Sequence, residues 1–441
     1  MLRRVLLALL LVLGMGSAPA VAGGRLIVRV SGGLPVIQLD CLLAGCAVNE
    51  TLDGTQGALF LVTTPDLLNL NVVLSTLLNL TGIIDAEIDD VAHISDSSIA
   101  VPPALTDDAP LSYFGTTVPH GYVYQPATSL VRLADTRAAF PNATGSGVVA
   151  VIDTGVDPHH PALRGVLLSG YDFTRNRVGA DETLDVTLSQ PPVTDGVPPA
   201  WVRGNGSGNV SQSTAAVVDQ STAAVVDGNP QLSDFGHGTM VAGLVHVVAP
   251  TARILPLKAF KADGTGYKSD ILRAIYFALA QHAKVLNMSF NLASYSPEVA
   301  TALHLGTLTG MISVAAAGNS GERTLVYPAA LPDVIGVAST SNQDQLSMFS
   351  NYGSQLVWVA APGEGVVTTY PFGTYAAGWG TSFSTPLTSG LTSLLLSVNG
   401  LCDQYSSAQS TAHAQPITPD AGNGRLDTYR AMQAWSGQYL P

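Results

Sequence analysis

The chain has 441 residues, which suits one large α/β domain with smaller leading segments rather than a string of many domains. Hydrophobic residues make up 46% and charged residues 12%, which excludes a disordered chain and a highly charged surface binder. With a formal net charge of -13 and only 19 Lys and Arg, the chain has little to offer phosphate or anionic lipid, so no nucleic-acid partner is expected and the acidity serves solubility.

Residues 1–22 carry Arg3 and Arg4, an apolar run from Val5 to Leu13, and small residues ending Ala20-Val21-Ala22. This is the pattern of a secretory signal with an Ala-x-Ala cleavage site. The run is shorter than the roughly 20 residues that span a bilayer, so export without a membrane anchor is expected, to the extracellular space or periplasm. Arg3-Arg4 stands without the fuller pattern of a twin-arginine signal. Only three cysteines occur, too few for a disulfide framework; Cys41 and Cys46 are close enough to pair locally, and Cys402 then reads as a small buried apolar residue.

Residues 23–90 read as a small α+β segment, with strands at Leu26 to Val30, Ala58 to Thr63 and Ile83 to Ile88 and a helix from Pro65 to Leu80. Residues 91–125, with Pro102-Pro103, Pro110 and Pro119 and little periodicity, read as a linker. From residue 126 to 441, apolar strands alternate with helices. This predicts an α/β fold, a mostly parallel sheet with helices on both faces. The expected strands are Val148 to Ile152, Arg253 to Ala259, Lys284 to Met288, Ile312 to Ala316, Val334 to Ala338 and Val357 to Ala360, with helices from His237, Ser269, Ser296 and near Ser382. An eight-residue string, Gln212 to Asp219, recurs as Gln220 to Asp227. Two copies are too few for a solenoid, so about 175–231 reads as a surface insertion.

Three strings carry the chemistry: Asp153-Thr154-Gly155, His237-Gly238-Thr239 and Gly380-Thr381-Ser382 leading to Pro386. A serine hydroxyl is a poor nucleophile at neutral pH until an imidazole takes its proton and a carboxylate holds that imidazole in the right tautomer. Taken singly, Asp153 could be a turn cap, Ser382 a helix cap and Asn319 a turn residue. No His-Glu-x-x-His string and no Gly-x-Ser-x-Gly string occurs, which gives no support to a zinc hydrolase or an α/β-hydrolase esterase. Gly204-Asn205-Gly206-Ser207-Gly208 lacks the strand and helix that a phosphate loop needs. His159, His160, His246 and His282 lack flanking glycines and are expected in structural or exposed roles.

In their order Asp, His, Ser, and together with Ala315-Ala316-Ala317-Gly318-Asn319, these strings resemble the subtilisin-like serine proteases. The resemblance implies an endopeptidase working through an acyl-enzyme on Ser382, with His237 as base, Asp153 orienting it and Asn319 donating to the oxyanion. It further implies peptide binding by Ser289, Phe290 and Asn291 and by Gly264, Thr265, Gly266 and Tyr267, an S1 wall of Ala316, Ala317 and Gly318, and residues 23–90 as a propeptide that inhibits its own enzyme. The chemistry requires no cofactor. Three positions depart from the pattern: Met240 replaces a usual His, Asn291 a usual Gly, and Ala162 a frequent calcium-binding Asp, so structural calcium has no assigned site. The first two predict a reshaped cleft, and together with the repeat insertion they motivate a rival reading as a non-catalytic binding protein with the same fold.

Overall fold

The computed structural model describes residues 24–54, 56–65, 68–93, 102–186, 232–292 and 294–437; the signal-like segment 1–22 and the tandem repeat 212–227 lie outside them. The described residues fall into two compact units, divided between Asp90 and Val91.

In the first unit, β1 (Arg25–Val30) is flanked by β3 (Leu59–Thr63) and β4 (Ile83–Ile88), and β2 (Ala47–Thr51) pairs with β3, all antiparallel. Helices α1 (Leu34–Ala44) and α2 (Leu70–Leu78) complete it, and Leu26, Val28, Ile37, Phe60, Val62 and Leu77 share one apolar cluster. The Pro65 to Leu80 prediction captured α2 but began it early, because Asn69 caps the helix through its own Oδ1 and Asn71 N–H. Helix α1 was not expected from sequence, because its apolar residues lie on both faces: Leu39, Leu42 and Leu43 are exposed while Ile37 and Cys41 are buried beside Asp40. Cys41 and Cys46 are disulfide-bonded at its end, and Cys402 is free and buried, with its thiol pushed up to about 11 by that burial.

The second unit opens with β5 (Val91–His93), the hairpin β6 (Pro110–Tyr113) and β7 (Thr116–Pro119), and the short helices α3 (His120–Val123), α4 (Pro126–Leu130) and α5 (Leu133–Ala139). The linker expected over 91–125 is therefore built of short elements, each below the length at which periodicity can be read. Tyr122, fully buried here, donates from its hydroxyl to Gly243 O at 2.7 Å.

The main sheet contains β8 (Val148–Asp153), β9 (Tyr171–Asp172), β10 (Arg177–Val178), β11 (Arg253–Lys258), β13 (Val285–Met288), β14 (Ile312–Ala316), β15 (Val334–Thr340) and β16 (Val359–Pro362), in the order β10-β9-β11-β8-β13-β14-β15-β16. All of its pairings are parallel except β10 with β9. Outside it lie β12 (Thr265–Tyr267), which pairs with β5, and the hairpin β17 (Val366–Tyr370) and β18 (Thr374–Gly378). The helices are α6 (His237–Val248), α7 (Lys268–Ala280), α8 (Pro297–Leu308), α9 (Thr381–Val398), α10 (Gln404–Thr411) and α11 (Thr428–Trp435). This is the mostly parallel α/β architecture expected from the apolar strand runs. The chain places β11 on one side of β8 and β13 on the other, so the strand order reverses at β8, and open α/β sheets bind ligands at the carboxyl ends of strands beside such a switch.

The insertion reading needs correction at its start. Residues 187–231 lie outside the described set, but Glu182 is fully buried and Asp185 meets the Lys258 ammonium at 2.8 Å. A buried carboxylate requires donors or a cation, and nothing in the local string announces them.

Candidate active site

Asp153 is the last residue of β8, and the chain leaves it through Gly155 at φ 106°, where a Cβ would stand 2.5 Å from Ala180 O. Its Oδ1 accepts from Thr154 N–H at 2.8 Å and lies 2.7 Å from His237 Nδ1. Both side chains are buried, at 1% and 0% exposure, so this contact operates away from water. His237 is the first residue of α6. Every residue of that helix is buried, and hydroxyls of β17 hold its first turn: Thr369 donates to Thr239 O and Thr368 to Met240 O, each at 2.7 Å. Met240 packs in the apolar core.

Ser382 is the second residue of α9, whose first-turn amides have no partners within the helix. Pro386 lies inside that helix and has no N–H, which releases the carbonyl four residues earlier, that of Ser382 itself. Ser289, just beyond β13, takes up the released acceptor: its Oγ donates to Ser382 O at 2.9 Å, while Ser382 Oγ donates back to Ser289 O at 3.2 Å. The hydroxyl of Ser382 therefore rests on a long bond to a backbone carbonyl, and a turn about its Cα–Cβ bond redirects it. Phe383 packs its ring 5.5 Å from that of His237.

Asn319 follows β14. Its Oδ1 accepts from Thr381 N–H at 2.9 Å and Thr381 Oγ–H at 2.8 Å, which fixes the amide and puts Nδ2 2.9 Å from the place a Cβ on Gly380 would occupy. Gly380, at φ 143°, is the one residue type that permits this approach. Among the other expected contacts, Ala316 at the end of β14 and Ala317 just beyond it are buried, and the Asn291 carboxamide lies 2.9 Å from a would-be Cβ on Gly318. Gly264 starts the turn into β12, whose Thr265, Gly266 and Tyr267 pair antiparallel with His93, Ala92 and Val91. Ala162 is buried, and its N–H donates to His160 Nδ1 at 3.2 Å. The described residues contain no group of three or more His, Cys, Asp or Glu placed to hold a metal ion.

Sequence reasoning missed two charged groups beside Asp153. Lys258, fully buried at the end of β11, donates to Thr154 O at 2.5 Å, Phe260 O at 2.9 Å and Asp185 Oδ2 at 2.8 Å. A lone lysine closing the apolar run Ile254 to Leu257 was its one available signal. Glu182 accepts from Thr154 Oγ–H at 2.8 Å, Gly236 N–H at 3.1 Å, Thr239 N–H at 3.0 Å and the Thr239 hydroxyl.

The subtilase family profile matches residues 145–426, from the approach to Asp153 to the turn before α11. The chain belongs to the subtilase family. It is 33% identical over 300 residues to thermitase of Thermoactinomyces vulgaris, covering 66% of this chain and 90% of thermitase. It is also 33% identical over 249 residues to the thermophilic serine proteinase of Bacillus sp. (strain AK1), covering 56% of this chain and about half, 52%, of that protein. The crystal structure of fervidolysin from Fervidobacterium pennivorans, a keratinolytic enzyme related to subtilisin, shares the fold with TM-score 0.68 and 19% identity, over 95% of this chain and 62% of that one. Family membership makes this subtilase a serine-type endopeptidase, a hydrolase whose class needs no cofactor for its chemistry.

Proposed function

We propose that the protein is an exported endopeptidase that hydrolyses peptide bonds through an acyl-enzyme on Ser382. The buried 2.7 Å contact of His237 Nδ1 with Asp153 Oδ1 carries this reading, because it commits the ring to the tautomer whose other nitrogen can accept a proton. Ser382 turns from Ser289 O toward that nitrogen, gives up its proton and attacks the peptide carbonyl. The tetrahedral oxyanion is held by the Ser382 N–H in the first turn of α9 and by Asn319 Nδ2, an amide that Thr381 keeps from rotating. His237 then protonates the leaving amine, and water resolves the ester.

Residues 1–22 act as the export signal and residues 23–90 as a propeptide that occupies the enzyme until processing. The pairing of Val91, Ala92 and His93 with β12 supports the latter, since the chain adds itself as a strand to the segment assigned to substrate. Ser289, Phe290 and Asn291 form the opposite backbone wall, and Ala316, Ala317 and Gly318 line the P1 side-chain pocket. Polypeptide is the substrate.

Expression of the full chain tests these assignments. The wild type is expected to yield a mature form that has lost residues 23–90, and to label with a serine-directed phosphonate. Ser382→Ala is expected to remain unprocessed and unlabelled, and labelling retained in that variant refutes the nucleophile.

A further inference from the structure

Glu182 sits on a one-turn 3-10 segment, Glu182–Asp185, outside the strands and helices that supply Asp153, His237 and Ser382. Its carboxylate is nevertheless fully buried and accepts four hydrogen bonds. One comes from Thr154, the neighbour of Asp153 in sequence, and three come from Gly236 and Thr239, which bracket His237. An ionised carboxylate offers about four lone-pair sites, so Glu182 can be fully satisfied by these donors.

The two hydroxyls that donate to it are themselves acceptors. Thr154 Oγ accepts from Gly238 N–H at 2.9 Å and Thr239 Oγ from Asp157 N–H at 2.8 Å. Glu182 thus closes a polar seam between the end of β8 and the first turn of α6. Asp153 depends on that seam. Its Oδ2 is buried with no hydrogen-bond partner among the described residues, and the adjacent Thr154 hydroxyl spends its one proton on Glu182. Among the described residues only Oδ1 holds the Asp153 carboxylate, so its aim at His237 follows from where the two backbones are held.

We propose that Glu182 is the positioning residue of the Asp153–His237 pair, fixing the amino-terminal turn of α6 against the end of β8. The inference rests on the triad reading above. Glu182 touches no reacting atom and acts through Thr154, Gly236 and Thr239. The charged groups facing it are Asp153 on β8 and Lys258 on β11, and α6 presents only hydroxyl and amide donors to it. Burial pushes its carboxyl up to about 8, Asp153 adds to that rise, and the threonine donors and Lys258 oppose it. Burial favours the neutral acid, while the threonine donors favour the anion, which alone can accept all four hydrogen bonds.

The test uses the full chain and two readouts. In Glu182→Gln, an amide nitrogen replaces one acceptor and faces a donor, so kcat on a peptide substrate is expected to fall about 10- to 100-fold while KM stays within about twofold. A rise of wild-type kcat through about pH 8 is expected to vanish in the same variant. The second readout needs no turnover: in Ser382→Ala chains carrying 15N-labelled histidine, Glu182→Gln is expected to lower the His237 imidazole pKa by about half a unit or more, because a misaimed Asp153 stabilises the imidazolium less. If Glu182→Gln does not fold, Thr239→Val, which removes one hydroxyl donor, is expected to shift both readouts the same way, with Thr239→Ser restoring them. An unchanged His237 titration together with kcat within about twofold of wild type overturns the proposal. Absence of hydrolysis by the wild type overturns the triad reading instead, and the titration still reports on Glu182.

Discussion

Gly238→Ala sets helix propensity against packing at the point where the two halves of the site meet. Alanine is the better helix former by about 1 kcal/mol, and Gly238 is the second residue of α6, so propensity alone predicts a more stable protein. The structure predicts the reverse. A Cβ on Gly238 would stand 1.9 Å from Gly155 O and 3.0 Å from Gly155 C, both backbone atoms, so no side-chain rotation relieves the clash. Restoring even a 3.0 Å contact requires the chain after Asp153 to retreat from α6 by about 1 Å. That retreat also stretches the 2.9 Å bond from Gly238 N–H to Thr154 Oγ. Overpacking of this kind costs about 1–3 kcal/mol, with about 1 kcal/mol more for the strained hydrogen bond, which together exceed the propensity gain. The same displacement acts on the Asp153–His237 contact, and about 1 Å of misplacement costs about 100-fold in rate. The expected outcome is a lower Tm by differential scanning calorimetry and a kcat reduced about 100-fold at similar KM. Gly165→Ala is the control, since its Cβ would meet nothing within 4 Å, and both readouts should stay at wild-type values. A Gly238→Ala enzyme as stable as wild type, with kcat within about threefold, would refute the reasoning.

Ser289→Ala strands the Ser382 carbonyl that Pro386 releases, and is expected to lower stability by about 1–3 kcal/mol in urea denaturation; no change in the midpoint would mean another donor replaces it. Asn319→Ala removes the amide donor and is expected to lower kcat by about 10²- to 10³-fold with little effect on KM, a magnitude carried over from subtilisin itself. His246 is buried against the Tyr113 ring, and neither of its ring nitrogens has a hydrogen-bond partner among the described residues. Burial, with His160 and Arg137 adding repulsion, lowers its pKa from 6.5 to about 4. The stability this neutral ring contributes is complete above pH 6.5 and is lost as pH falls toward 4, up to about 3 kcal/mol. His246→Phe is therefore expected to flatten the fall of Tm over that interval, and an unchanged acid limb would contradict it. Glu182 has the opposite sign: a carboxyl raised from 4.5 to about 8 contributes stability at low pH that is lost as pH climbs through that range. The Tm advantage of wild type over Glu182→Gln should accordingly shrink between pH 5 and 8, and an advantage that stays constant would count against the raised carboxyl.

The parallel sheet was legible because its strands, buried on both faces, read as unbroken apolar runs such as Val148 to Ile152 and Ile312 to Ala316. The close approaches around Asp153, His237, Ser382 and Asn319 were legible through the glycines and small residues beside them, which mark where backbones come near one another. What stayed hidden falls into two kinds. Elements of three or four residues, such as β5, β6 and β7, are too short for a period to be recognised. Helix α1 has no polar stripe, so its apolar residues could not be told from a buried strand.

The second kind is more instructive, because it concerns partners rather than elements. Pro386 could be read as a helix disruption, but that the carbonyl it frees belongs to Ser382, and that Ser289 answers it, depends on β13 arriving beside α9 in the fold. Glu182 carries no local signal, since its meaning lies wholly in four donors brought from β8 and α6. A sequence displays the groups that carry out a reaction because their surroundings must be small and sharply turned. It conceals the groups that align them, because alignment is a relation between segments distant along the chain. The strings proposed to carry the reaction in this subtilase stand out locally, and the seam that joins two of them required the fold.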